Sequence, residues 1–200
     1  MATDPTARLG RDFFARDSLR VARDLLGRVI RTRTAEGETA GRIIETEAYR
    51  PTESCSHSSR GRTARTASMF GAPATVYVYF IYGMHHCVNL VTAGDGAAVL
   101  LRALVPTEGV ELMRARRGPK APDARLCAGP GSLCRALGID RAWDGLDAAS
   151  DERITVYAGT PTAEADVVVG PRIGVVGRPE DVALPWRWRE RAAPARRSVR

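Results

Sequence analysis

The stretch ATVYVYFIYGMHHCVNL, Ala74 to Leu90, decides how the chain is read. Val76–Ile81 and His85–Val91 are predicted strands, and Tyr82-Gly83 between them marks the tip of a β-hairpin. Three of the five tyrosines, Tyr77, Tyr79 and Tyr82, lie here within six positions. Tyr77 and Tyr79 share a strand parity, so one face of the first strand presents rings, and core packing is expected for Tyr77. Tyr82 has the other parity and directly precedes Gly83, whose missing Cβ permits unusual backbone angles. A ring at a hairpin tip is exposed to solvent unless it enters a partner.

On the N-terminal side, Asp17 or Ser18 can cap a helix burying Leu19, Val21, Ala22, Leu25 and Leu26, with Gly27 as its stop. RVIRTRT and GRIIETEAY then read as strands joined by the turn-like AEGE. Arg50 to Ser68 is polar and irregular, a long loop of the kind that is usually functional or disordered. After the hairpin, Ala97 to Leu104 (AAVLLRAL) is a buried strand. TEGVELMRARRG is a helix with Thr107 as cap and Gly118 as stop, and GPGSLCRALGI is a short helix. ITVYAG, VVVGPRIGV and WRWRER are late strands. Helices and strands intermix and hairpins dominate, which predicts an α+β class: one mixed domain over 8–190, with a curved, mainly antiparallel sheet flanked by helices. Residues 191–200 form a basic tail.

Two hundred residues suit one domain burying roughly 70% of its unfolded surface. No apolar run approaches the ~20 residues of a membrane span, and Met1 to Gly10 lacks a signal-like hydrophobic segment, so a cytoplasmic protein is expected. The formal charge is +7, nearly all of it from arginine, since Lys120 is the only lysine. Arginine enrichment also follows from genomic base composition, but its planar fork suits phosphate. Arg60, Arg62 and Arg65 form one cluster without acids; Arg114, Arg116, Arg117 and Lys120 form another. Six arginines lie between Arg187 and Arg200, whereas acids gather from Asp140 to Glu152. This asymmetry favours a polyanion as partner. The four cysteines show no C-x-x-C spacing and are read as buried thiols. A zinc site from Cys55, His57, His85 and Cys87 would need tighter spacings than structural sites normally have.

In IIETEAYR, alternation puts Glu45, Glu47 and Tyr49 on one strand face, successive members ~6–7 Å apart. Such a face suits a site wall better than a core, although an exposed edge strand has the same pattern. Two carboxylates serve an O-glycoside hydrolase. One carboxylate activating a water serves an N-glycoside hydrolase whose leaving base is alkylated or protonated. Rings, a carboxylate and a basic surface together fit an enzyme that extrudes a nucleotide from DNA, where base flipping needs stacking partners and a side chain to fill the vacated stack. The same rings and arginines also fit a non-catalytic module for damaged or single-stranded DNA.

Seven stretches, in order from Arg11 to about Trp188, carry a specific resemblance: RDFF…A.DLLG, GRIIETEAY, H…RGRTART…MFG, VYVYFIYGMHHCVN, GDGAAVLLRAL.P.EG, LCAGPGSLCRALGI and PRIGV. Together they resemble the alkyladenine (3-methyladenine) DNA glycosylase family of the mammalian type, without a helix-hairpin-helix. The resemblance implies a single mixed α/β domain without metal or cofactor, acting as a monomer on duplex DNA that contains damaged purines, hydrolysing the base–deoxyribose bond and leaving an abasic site.

By resemblance, Glu47 is the general base that activates water, Arg102 helps hold that water, and a backbone carbonyl near Ile173 shares it. Tyr49, His57 and Tyr79 sandwich the flipped purine, with Asn89 as a steric filter on the pocket floor and Tyr82 as the intercalating residue. Arg62, Thr63 and Arg65 are candidate phosphate contacts. Glu45 is expected to make a supporting hydrogen bond, His85 and His86 to be structural, and the GPGS helix start to offer N–H groups or simply a tight turn. Two segments depart from the family's commoner pattern. RPTESCS, between Tyr49 and His57, has Glu-Ser-Cys where Asp-x-Ala is commoner. The ending WRWRERAAPARRSVR lacks an Arg-Gly-Asn/Ser-Pro-aromatic motif, so no tail residue is carried across.

Overall fold

The computed structural model describes residues 4–191, so the expected tail, Arg191 apart, lies outside the described residues. Among the described residues, eight strands pair in antiparallel fashion into one open sheet: β1 Val29–Thr34, β2 Gly37–Tyr49, β3 Val76–Ile81, β4 His85–Val91, β5 Ala98–Glu108, β6 Ile154–Tyr157, β7 Val167–Gly170 and β8 Arg187–Glu190. The main path runs β3-β4-β5-β2-β1-β6. Strand β2 is long enough to hold two neighbours along one edge, β1 through Gly37–Arg42 and β8 through Glu45–Glu47, with β7 outside β8. Five α-helices among the described residues complete the α+β domain: α1 Arg11–Phe14, α2 Ser18–Asp24, α3 Val110–Arg117, α4 Pro130–Leu137 and α5 Pro179–Val182.

Helix α2 forms where expected because Asp17 accepts the Leu19 N–H as an N-cap. It buries Val21 and Ala22, continued by Leu25 and Leu26, against the sheet, whereas Leu19 is only half-buried. Helix α4 adds Leu133, Cys134, Ala136 and Leu137 to the same core. Thr107 is no cap. Strand β5 continues through it to Glu108, which pairs with Ala40, and Gly109 at φ 66 then turns the chain straight into α3. A Cβ at Gly109 would run into the backbone of Glu38 and Thr39, so glycine is required by contact as well as by angle. The expected strand VVVGPRIGV ends at Gly170, after which Pro171 offers no N–H and the chain leaves the sheet.

Two β-bulges shape the other face. Ile43 pairs with Leu104 and Glu45 with Ala103, leaving Ile44 as the extra residue of β2; Thr46 pairs with Leu101, leaving Arg102 as the extra residue of β5. A bulge resets side-chain parity. Accordingly Ile43, then Ala48, belong to the helix-covered core, as do Leu101 and Leu104 on the partner strand, and Thr46 Oγ1 donates to the Ala22 carbonyl of α2. Glu45, Glu47 and Arg102 are thereby turned to the opposite face. A second, smaller cluster lies away from that core: Met69, Tyr77, Val91 and Ala98, with Phe70 and Tyr79 beside it. The loop between β2 and β3 packs over it through two short 3-10 turns, His57–Arg60 and Ala67–Phe70.

Candidate active site

Glu47 is fully buried, near the end of β2. A buried carboxylate needs donors, and it has three. Its Oε2 accepts from the Tyr49 hydroxyl and from Arg102 Nη1, both at 2.9 Å, and its Oε1 accepts from the Ile173 backbone N–H at 2.8 Å. Arg102 also donates from Nε to Glu45 at 3.1 Å, so one guanidinium spans both carboxylates, and Arg187 approaches Glu45 at 3.4 Å. Burial lowers the Arg102 pKa, but Glu47 and Glu45 outweigh it and the net shift is upward, keeping the guanidinium charged. Burial, then the Glu47 charge, raises the Tyr49 pKa well above its usual value, so Tyr49 stays a neutral donor. The Ile173 backbone thus meets Glu47 through its N–H. Its side chain remains exposed.

The rings assemble beside this carboxylate. His57 meets Tyr79 edge-on, with centroids 4.6 Å apart at 76°, and Tyr79 lies 5.6 Å from Tyr77 at 33°. Tyr77 is core, as its pattern implies, and its hydroxyl also meets His57 Nδ1 at 3.0 Å, orienting the imidazole. His57 retains solvent exposure as a residue. Its ring lies against the tyrosines, and that burial, reinforced by Arg65, lowers its pKa and keeps it neutral near pH 7. Burial pushes Tyr77 up to about 12 and raises Tyr79 too, so both rings stay uncharged. Asn89, opposite Tyr77 in the hairpin, is buried and donates from Nδ2 to the Tyr77 carbonyl at 3.1 Å. Tyr49 belongs to the same face but stacks elsewhere, under the Arg172 guanidinium at 4.8 Å.

The hairpin tip stands outside this cluster. Phe80, Tyr82 and Met84 are exposed, Tyr82 at 75%. Arg62 and Arg65 are exposed on the loop after His57, whereas the Thr63 hydroxyl is tied to Thr66 Oγ1 at 2.9 Å and closes that loop. His86 packs on Phe80, and the His85 ring sits against Gly131 in the first turn of α4, where a side chain would collide with it. Both histidines are therefore occupied in packing. Among the described residues no group of three or more His, Cys, Asp and Glu is arranged to hold a metal ion, and no helix is long and apolar enough to cross a membrane. Cys87, Cys127 and Cys134 are buried thiols, while Cys55 is half-buried.

Residues 12–194 match the family of methylpurine-DNA glycosylase (MPG). The chain belongs to this family. A Streptomyces avermitilis relative is 49% identical over 185 residues, 90% of this chain and 86% of that one. The DNA-3-methyladenine glycosylases of mouse and human are 42% and 43% identical, covering 96% and 94% of this chain and 61% and 67% of their own lengths. Sequence reasoning missed one pair in this chain. Glu53 and Arg172 are buried together, with the Arg172 guanidinium over the Tyr49 ring. The signal was present on both sides: an acid in the departing segment RPTESCS, and an arginine inside PRIGV next to Ile173.

Proposed function

We propose that this chain is a monofunctional DNA glycosylase of base excision repair. It flips an alkylated or deaminated purine out of duplex DNA and hydrolyses its N-glycosidic bond with a water activated by Glu47. The observation that carries this reading is a fully buried carboxylate held by three donors from three separate segments. A carboxylate has about four acceptor positions. The one remaining on Glu47 Oε1 is suited to a water aimed at the anomeric carbon. As the water oxygen bonds to that carbon, its proton passes to Glu47 and the C–N electron pair leaves with the base, which carries positive charge when alkylated and departs readily. Arg102 fixes the carboxylate and helps hold the water.

In this reading Tyr49 covers one face of the purine, His57 and Tyr79 the other, and Asn89 limits the floor. Tyr82 fills the gap in the base stack. Arg62 and Arg65 are available to phosphates, with Thr63 shaping their loop. The mouse and human relatives are DNA-3-methyladenine glycosylases, which supports a methylated purine as the substrate class. Glu47→Gln keeps the shape but removes the proton acceptor, so single-turnover base release should fall ~10²–10⁴-fold with lesion binding retained. Borohydride should trap no protein–DNA adduct, because Lys120 is the only lysine and is exposed in the turn after α3. A variant that excised at the wild-type rate, or a trapped adduct, would rule out this mechanism.

A further inference from the structure

Arg172 and Glu53 form an ion pair that the hydrolysis itself does not touch. Their side chains are 0% and 2% exposed. Arg172 Nη1 and Nη2 donate to the two carboxylate oxygens of Glu53. The same nitrogens donate to two backbone carbonyls, Ala48 at 3.1 Å and Asp181 at 2.9 Å. The guanidinium carbon lies over two rings, 4.8 Å from the Tyr49 centroid and 5.2 Å from that of Trp186. Glu53 in turn accepts the Arg50 N–H at 3.1 Å.

These contacts converge on Glu47. Ala48 is its neighbour in the chain, Tyr49 donates to its Oε2, and Ile173, whose N–H donates to its Oε1, is covalently next to Arg172. One guanidinium thus fixes two of the three donors to the carboxylate: Tyr49 through its ring, and Ile173 through the backbone. We propose that Glu53 and Arg172 are positioning residues for base excision, setting the orientation of Glu47 through Tyr49 and Ile173. They act without contacting the base or the DNA. A buried ion pair gives little stability over a well-packed apolar pair, because desolvating two charges offsets their attraction. A function in geometry is a better account of one that closes so directly around a carboxylate.

The inference rests on the reading of Glu47 as the water-activating group, and the test separates the two. Single-turnover excision from a duplex with one hypoxanthine, and binding of that duplex, are measured for Glu53→Gln, Arg172→Lys, Glu47→Gln and the double variant Glu53→Leu/Arg172→Met. The double variant leaves no lone charge buried, so folding is retained where a single substitution unfolds the chain. For Glu53→Gln and the double variant the excision rate is expected to fall by between about tenfold and about 100-fold, the range for ångström-scale misplacement of a reacting group. Binding should stay within about threefold of wild type. Arg172→Lys keeps the charge but not the planar fork, and should remain slow. A folded double variant with wild-type excision, beside an inactive Glu47→Gln, overturns the positioning role alone. An active Glu47→Gln overturns the reading of Glu47 and the inference with it. Loss of folding in every Glu53 and Arg172 variant would assign the pair to stability and overturn the proposal.

Discussion

In the proposed function Asn89 is both a framework residue of the hairpin and the filter on the pocket floor. Its Nδ2 donates to the Tyr77 carbonyl across the hairpin, and almost none of the residue is exposed. Strand parity gives it the same facing as Cys87 and Val91, so its side chain belongs to the face that holds the rings. Adenine and hypoxanthine lack the 2-amino group that guanine carries, and a side chain at that edge rejects guanine by contact. Shortening it in Asn89→Ala should raise release of 7-methylguanine relative to hypoxanthine by about tenfold or more, since contact and lost pairing together are worth a few kcal/mol. The substitution also leaves the Tyr77 carbonyl without that donor, at a cost of about 1 kcal/mol in stability. A competition assay on the two lesions checks the ratio. An unchanged ratio would make Asn89 a framework residue and move guanine rejection elsewhere.

At the scale of the element, hairpin β3–β4 begins and ends at the residues its alternation predicts, Val76–Ile81 and His85–Val91. Its turn has Tyr82 and Gly83 as its two central residues, as read from the sequence. Met84 N–H donates to the Ile81 carbonyl at 3.3 Å, and both central residues have positive φ, 54 for Tyr82 and 66 for Gly83. Glycine tolerates this, but a bulky residue there is strained by ~1–3 kcal/mol. A ring kept in a strained, 75% exposed position suits contact with a partner better than packing. Tyr82→Asn separates the two effects, because Asn-Gly is a favoured sequence for such turns. It should raise the thermal midpoint by relieving about 1 kcal/mol of strain, yet weaken duplex lesion binding by ~1–3 kcal/mol through lost stacking. Equal losses on duplex and single-stranded substrate would count against an intercalating ring. The other decisive feature, the paired bulges of β2 and β5, was not legible. Arg102 interrupts the apolar run AAVLLRAL at the bulge itself, but one charged residue in a strand does not by itself mark an extra position.

Across the whole molecule, the helix-covered face of the sheet carries the main core and the other face carries the candidate site, closed by two segments distant in sequence. Asp181 joins those segments. Its Oδ2 accepts the Ser54 hydroxyl at 2.6 Å, the Ser54 N–H at 2.9 Å and Arg178 Nε at 2.8 Å. The Ser54 hydroxyl, then its N–H, then Arg178 hold the Asp181 pKa down at about 2. A carboxyl depressed in the folded state stabilises fully above its unfolded pKa, about 3.9, and that contribution is lost as the pH falls toward 2. Asp181→Asn should therefore unfold at lower urea than wild type at about pH 5, with the gap closing between about pH 4 and pH 2. A gap independent of pH would show that the carboxylate charge is not what holds the segments.

Local patterns carried by the sequence alone settled the hairpin, the helix starting after Asp17, the α+β class and the Glu45, Glu47 and Tyr49 face. Each rests on spacings of two to four residues, the range over which strand alternation and helix capping operate. The tertiary structure decided the rest. Thr107 lies in a strand because β5 has β2 beside it along its whole length. The Ile173 N–H reaches Glu47 across 126 positions, and Arg172 reaches Glu53 across 119. No periodicity encodes such pairings. They form because folding removes water from all four groups at once, and a buried donor or charge must then find its partner wherever the packed chain has brought one.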